Sequence, residues 1–334
     1  MLSVTPATAD DRINGLVSLS ASGGVSPCEA VARPIEVRDG FGGSSAVHRL
    51  LTGGRRRDTY FCEATLLRLR MAANPRVVSL APSATAVLDA AGLDAHVVGA
   101  TVHSPTDKPV VGGWLNPDFD RVDELDADAV CTCDDLQSDV AAAARDRGYD
   151  VVHVAPATLA EVFDSFPVVC DAAGDAGAGA TLAEDCRDHL ARVADAVAGR
   201  DRPTVYCEEW ADPPMAAGNW VPDLVRAAGG SAPLVAPGER SAEVDPETVA
   251  AADPDHVILH PCGKGERGDP EAFEARGWNL DASVHAVDDS LLNQPSPAVV
   301  SGVDRLARLL HPDADLPEPW EPATATPTES DEGK

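Results

Sequence analysis

From Arg76 onward, short apolar runs alternate with stretches whose apolar residues recur at helical spacing, the alternation of an α/β protein. Residues 76–81 (RVVSLA) read as the first strand. Pro82-Ser83 then opens a helix over 84–91, with Ser83 as N-cap and Gly92 as the C′ glycine. Strands follow at 97–100, 129–133 and 151–154, separated by helices at 118–125 and 140–147, and a helix over 159–172 closes this half. After a Gly/Ala loop, 174–180, comes one of the longest helical patterns in the chain, 181–198, with Leu182, Cys186, Leu190, Val193 and Val197 on one face. A second series repeats the scheme: strands at 203–206, 256–259 and 284–287, and helices at 221–228, 246–252, 271–275 and 297–310. The predicted fold class is α/β: two α/β lobes joined by one long interdomain helix, with a ligand cleft between the lobes. The expected boundaries are an N-terminal lobe at 75–178, the linking helix at 179–200 and a C-terminal lobe at 201–312.

The two ends fall outside this pattern. Residues 1–70 show no sustained period and carry seven acids against nine arginines, whereas the remainder holds 48 acids and 17 basic residues. The change comes at Met71, so 1–74 is expected to be a disordered or mis-assigned N-terminal extension. Arg55-Arg56-Arg57 is a candidate export signal, but Asp58, Glu63, Arg68 and Arg70 occupy the stretch that such a leader keeps uncharged. A cytoplasmic location is therefore expected. Residues 313–334, rich in proline, acid and Ser/Thr, are expected to form a flexible tail.

Charge narrows the partners. The formal net charge is −29, which disfavours nucleic acid or an anionic membrane surface. The acid is dispersed and lysine is nearly absent, as a salt-adapted (halophilic) proteome would give, so the charge reports habitat rather than function. The eight cysteines include no CxxC pair and form no disulfide framework. No apolar run approaches the ~20 residues of a membrane span, so no membrane insertion is expected. No GxSxG elbow, P-loop, HExxH or strand-linked GxGxxG is present, and no catalytic residue is assigned.

Candidate binding chemistry sits where such sheets bind ligands, beyond the carboxyl ends of strands. Pro82-Ser83, Cys133-Asp134-Asp135, Glu208-Glu209-Trp210, His260-Pro261-Cys262-Gly263 and Asp288-Asp289 fall there. The segment CEEWADPPMAAGNW, 207–220, reads as a strand running out into a shaped rim. Trp210 and Trp220 could supply flat walls for a macrocycle or cap the second lobe's core. Glu208 and Glu209 alternate across the pleat, so only one can face the cleft, while the other pairs with solvent or with an arginine such as Arg226. Asn293 and Gln294 could bond amide groups of a ligand.

Several segments in order then resemble one family. RVVSLAPSATAVLDAAGL (76–93), GGWLNPDFDRVDELDADAV (112–130), EEWADPPMAAGNWVPDLVRAAGG (208–230), HPCGKG (260–265) and NQPSPAVVSGVDRLARLLHP (293–312) resemble the cobalamin-binding type of ABC-importer substrate-binding protein, the helical-backbone class, in a subgroup without a leader. The resemblance implies a monomeric, non-enzymatic binding protein that holds a corrinoid (cobalamin or cobinamide) or a similar metal chelate, not covalently attached. By position it places Trp114 beside the ligand. It makes Asp120 and Glu247 the lobe-top acids that dock on an ABC importer permease. Two cleft aromatics of the exported proteins are replaced here by Cys133 and Ser241. The expected ligand-binding set is Pro82, Ser83, Trp114, Cys133, Glu209, Trp210, Trp220, Cys262, Asn293 and Gln294, with no resident metal. Two alternatives stay open: a metal-handling protein or enzyme using Cys133, Glu209, Cys262 and His260 in the same cleft, and a conventional importer subunit.

Overall fold

In the computed structural model, residues 74–265 and 267–322 are described; the expectations for 1–73 and 323–334, including Cys28 and Cys62, lie outside them. The first half builds β1 (Val77–Ser79), α1 (Pro82–Ala90), β2 (Val97–Ala100), α2 (Phe119–Glu124), β3 (Ala129–Cys133), α3 (Ser138–Asp146), β4 (Asp150–Val154) and α4 (Leu159–Asp171). Its four strands form one parallel sheet in the order β2-β1-β3-β4. The long α5 (Ala176–Ala196) follows. The second half contains β5 (Val205–Ala211), β6 (Pro214–Ala216), α6 (Val221–Ala227), β7 (Ala242–Glu243), α7 (Pro246–Ala251), β8 (His256–Leu259), α8 (Pro270–Glu274), β9 (Ser283–Ala286) and α9 (Ala298–Leu310). Its sheet runs β7-β6-β5-β8-β9, with β5, β8 and β9 parallel and the β5–β6–β7 edge antiparallel. Two α/β lobes joined by one long helix are thus the architecture.

The elements follow from local chemistry, with corrections at their ends. Ser83 is not an N-cap: α1 starts at Pro82, whose fixed φ suits the first helical position, and Ala81 precedes it with no side-chain cap. The linking helix begins at Ala176, inside the expected Gly/Ala loop, because Asp175 caps it by accepting from the Ala178 N–H. Gly179 is needed there: a Cβ would lie 2.5 Å from the Phe166 carbonyl oxygen, so the residue lets α4 and α5 pack closely. The strand expected at 203–206 runs on to Ala211 and folds back as β6, an antiparallel hairpin.

Helix α5 touches both lobes. On one side Arg187 pairs with Asp164 of α4 at 2.6 Å and covers the Phe163 ring. On the other, His189 meets Asp304 of α9, Nε2 to Oδ1 at 2.8 Å, with both side chains buried. One core runs from Val77, Leu88 and Phe166 through Cys186 and Val193 to Leu224, Trp220 and Leu306. Asp304 also corrects the expected tail. Its Oδ2 accepts the Trp320 N–H at 2.8 Å, Arg308 donates to the Pro317 carbonyl, and Leu316 and Trp320 pack on the core. Among the described residues no helix is long and apolar enough to cross a membrane.

Candidate functional site

In each sheet the chain reverses its direction of strand addition at the first strand. β1 lies between β2 and β3, and β5 lies between the hairpin edge and β8. Crevices open beyond the carboxyl ends of strands at such switch points. That places the residues after β1 and β3 in the N-terminal lobe, and those after β5 and β8 in the C-terminal lobe, at the two halves of the candidate site.

In the N-terminal lobe the structure brings Ser83 and Cys133 together. Both are buried, and Ser83 lies close enough to Cys133 to oppose the rise of its thiol pKa. Burial pushes the Cys133 thiol up to about 11, so it stays protonated at neutral pH, unlike a metal-binding thiolate. Pro82 is half-buried beside them at the helix start. Trp114 is half-buried, and its carbonyl accepts from Gln137 Nε2 at 2.6 Å. Gln137 was not among the expected residues. A polar residue in a DDLQSD loop reads as surface, and only its burial reveals a structural anchor.

In the C-terminal lobe the two glutamates divide as the pleat requires. Glu208 turns inward to Arg276, which donates to both its oxygens at 2.7 and 2.8 Å, and accepts from the Tyr206 hydroxyl at 2.9 Å. Its partner is Arg276 and not Arg226, which pairs instead with Asp223. Glu209 faces the other way; burial raises its pKa, and a hydrogen bond with Ser241 opposes the rise. The Glu209 carbonyl accepts the Cys262 N–H at 3.1 Å. Cys262 is exposed, yet partial burial of its sulfur raises the thiol as well, helped by the nearby Asp289 and Glu209 carboxylates. Asn293 grips His260: its Oδ1 is 2.6 Å from Nδ1, and its Nδ2 donates to the His260 carbonyl at 3.2 Å. His260 is fully buried, its Nε2 has no partner, and burial pushes its pKa down to about 4, so it is a neutral imidazole. Asp289 accepts the N–H groups of Gly263 and Gly265 and so holds the Cys262 loop in place. Gln294 lies half-buried in the following turn.

The two tryptophans separate. Trp210 stands 44% exposed at the hairpin, its indole N–H given to the Asp212 carbonyl. Trp220 is only 5% exposed, belongs to the shared core and donates to the Leu292 carbonyl at 2.7 Å. It is a core residue rather than a cleft wall, because its large apolar body is already fully used in packing. Asp120 and Glu247 are exposed in the first turns of α2 and α7, one on each lobe.

Six large apolar residues are exposed among those described: Val102, Val110 and Leu115 on the segment after β2, Leu136 just after β3, Val168 in α4 and Trp210 near the end of β5. Sequence reading picked out only Trp210, since a lone leucine in a loop carries no periodic signal. A separate cavity of about 260 Å³ beside α1 and β2, lined by Asp89, Asp94, Thr106 and Lys108 among others, contains none of the expected ligand residues. Among the described residues no three His, Cys, Asp or Glu side chains converge to hold a metal ion. The arrangement can present apolar surface from two lobes, fringed by neutral and acidic hydrogen-bonding groups.

The sequence profile of the family described as periplasmic binding protein matches residues 77–286. A cobalamin-binding protein of Halobacterium salinarum is 27% identical over 255 residues, 71% of this chain and 69% of that protein. The solved periplasmic vitamin B12 binding protein BtuF of Vibrio cholerae has a similar fold, with TM-score 0.58 and 20% identity over 71% of this chain and 96% of that one. The apo periplasmic heme-binding protein RhuT of Roseiflexus sp. RS-1 is equally similar, with TM-score 0.59 and 21% identity over 72% of this chain and 99% of that one.

Proposed function

Because this chain belongs to the periplasmic binding protein family, we propose that it is a non-enzymatic binding protein that holds a corrinoid, or a closely related metal chelate, between its two lobes. The observation that carries this reading is the exposure of Val102, Leu115 and Leu136 after strands of the N-terminal lobe and of Trp210 near the end of β5 in the C-terminal lobe. Large apolar side chains left exposed at the strand ends of both lobes fit a binding surface. A large, flat, partly apolar ligand matches them, and the surrounding groups suit a ligand edged with amides. Asn293 and Ser241 can donate or accept, and Glu209 can accept. The kinship with the Halobacterium salinarum cobalamin-binding protein favours a corrinoid over heme.

Asp120 and Glu247, exposed on helices of opposite lobes, support a second role as docking acids for an ABC importer permease. A metal-handling or catalytic use of Cys133, Glu209, Cys262 and His260 gains no support: the thiols of Cys133 and Cys262 are held toward the protonated form and His260 is sealed in the core.

The test is gel filtration of the full chain with cobinamide or hydroxocobalamin in high salt, read by visible absorption, with hemin as comparison. Co-elution of a corrinoid, weakened by Trp210→Ala, is the expected result. Passage of both corrinoids free of the protein overturns the reading.

A further inference from the structure

One side chain ties together three separate segments of the N-terminal lobe's half of the site. Gln137 is fully buried. Its Oε1 accepts the Cys133 N–H at 2.7 Å, and its Nε2 donates to the carbonyls of Leu80 at 2.8 Å and Trp114 at 2.6 Å. A primary amide offers two donors and one acceptor group, and here they reach the end of β1, the end of β3 and the Trp114 loop. Burying an amide is costly unless it is bonded, so these three segments are fixed together or not at all.

The residues adjoining these anchors are the exposed apolar ones. Leu136 directly precedes Gln137 and is 61% exposed; Leu115 directly follows Trp114 and is 51% exposed. Between Cys133 and Leu136, Asp134 sits at φ +75° and ψ 147°, a conformation strained for any residue with a side chain. Its carboxylate accepts the Leu136 N–H at 2.8 Å, which ties it to the turn that carries Leu136. The chain thus accepts a strained residue beside an exposed leucine and secures the loop with a buried amide.

We infer that Gln137 is a positioning residue that holds Leu115 and Leu136 as a preformed apolar platform for the flat face of the ligand. This rests on the function proposed above and adds two contact residues and their support. A platform already in place spares the ligand the ordering of these loops, which is how pre-organisation raises affinity.

The test uses the full chain and cobinamide. Leu115→Ser and Leu136→Ser alter exposed side chains, so both should fold, and each should weaken cobinamide binding by roughly fivefold to tenfold at unchanged Tm. Gln137→Ala should weaken it by more than about tenfold, and its combination with Leu136→Ser should lose less than the two single losses multiplied, because the platform is already displaced. Purely structural damage would multiply through independently. Binding by both leucine variants within about twofold of the parent, or a multiplicative cycle, overturns the inference. If the parent does not bind cobinamide, the corrinoid reading fails separately. The positioning role is then read without ligand, from the Trp114 emission obtained as the difference from Trp114→Phe. A red shift of that emission in Gln137→Ala supports the role, and an unmoved emission overturns it. The leucine variants keep the test open if Gln137→Ala does not fold.

Discussion

Asp135 of the N-terminal lobe and Arg240 of the C-terminal lobe join the two lobes directly, Oδ2 to Nη2 at 2.7 Å. Each stands beside a residue of the candidate site: Asp135 two positions after Cys133, and Arg240 immediately before Ser241, the partner of Glu209. The Arg240 loop is bound to its own lobe through the Gly238 N–H to the Asn219 carbonyl and the Gly218 N–H to Ser241 Oγ. Both charged groups are mostly exposed, so the pair contributes only about 0–1 kcal/mol and is screened by salt. Asp135→Asn should therefore leave Tm nearly unchanged while raising hydrogen exchange at the Gly218 and Gly238 amides, and molar salt should do the same to the parent protein. Unchanged exchange in the variant would mean that the pair does not restrain this loop.

Glu208 and Glu209 are neighbours with opposite energetics. Glu208 is 4% exposed and ion-paired, so Glu208→Gln leaves the Arg276 guanidinium uncompensated beside Tyr206 and Trp278. A loss of about 3 kcal/mol or more is expected in urea unfolding. Glu209 has its pKa raised by burial, so its ionised form is disfavoured in the fold. An acid raised in this way costs stability once the pH passes its unfolded value of ~4.3. Glu209→Gln should therefore be neutral or stabilising at pH 7, with any gain vanishing in acid.

The repeat of apolar runs and helical stretches made the two lobes legible, and the strand-end rule led to Cys133, Glu209 and Cys262, because both depend on patterns that survive without coordinates. What stayed hidden depends on contacts distant in sequence. Ser83 reads as a cap because cap chemistry is local, whereas its buried neighbour Cys133 lies fifty residues away. Trp220 reads like Trp210 in a loop-rich segment, and only its bond to Leu292 and its place in the core separate them. The proline- and acid-rich 313–322 stretch has the composition of a tail, yet the buried Asp304 carboxylate needs a donor and finds it at the Trp320 N–H. The start of helix α5 reads as a Gly/Ala loop because glycine is a poor helix former by propensity, yet glycine is what its contact with α4 requires at position 179.

The two tryptophans should separate stability from binding. Trp220→Ala removes a buried indole from the shared core and should cost about 3–5 kcal/mol in chemical unfolding. Trp210→Ala removes an exposed ring and should change stability by less than about 1 kcal/mol. Only the Trp210 variant should therefore remain folded while losing affinity for cobinamide, as measured by titration of the visible spectrum. A folded Trp210→Ala protein with the parent's affinity would exclude that ring from the site.

His260 should make the fold sensitive to mild acid. Its pKa is pushed down to about 4 by burial, against an unfolded value of ~6.5. Above the unfolded value both states are neutral there and the stability is fully present. As the pH falls below it the unfolded chain takes up a proton that the folded chain refuses, so stability drains until the folded pKa is reached. For a shift of this size the loss is on the order of 3 kcal/mol. His153, His256 and His285 have their pKa values lowered mainly by burial too, so they add losses of the same sign in the parent protein. The measurement is urea unfolding at pH 7 and pH 5 for the parent and for His260→Gln. The variant should start less stable, because it disturbs a buried site, but it should lose distinctly less between the two pH values. An equal loss in both proteins would show that His260 takes up its proton as readily in the fold as in the unfolded chain.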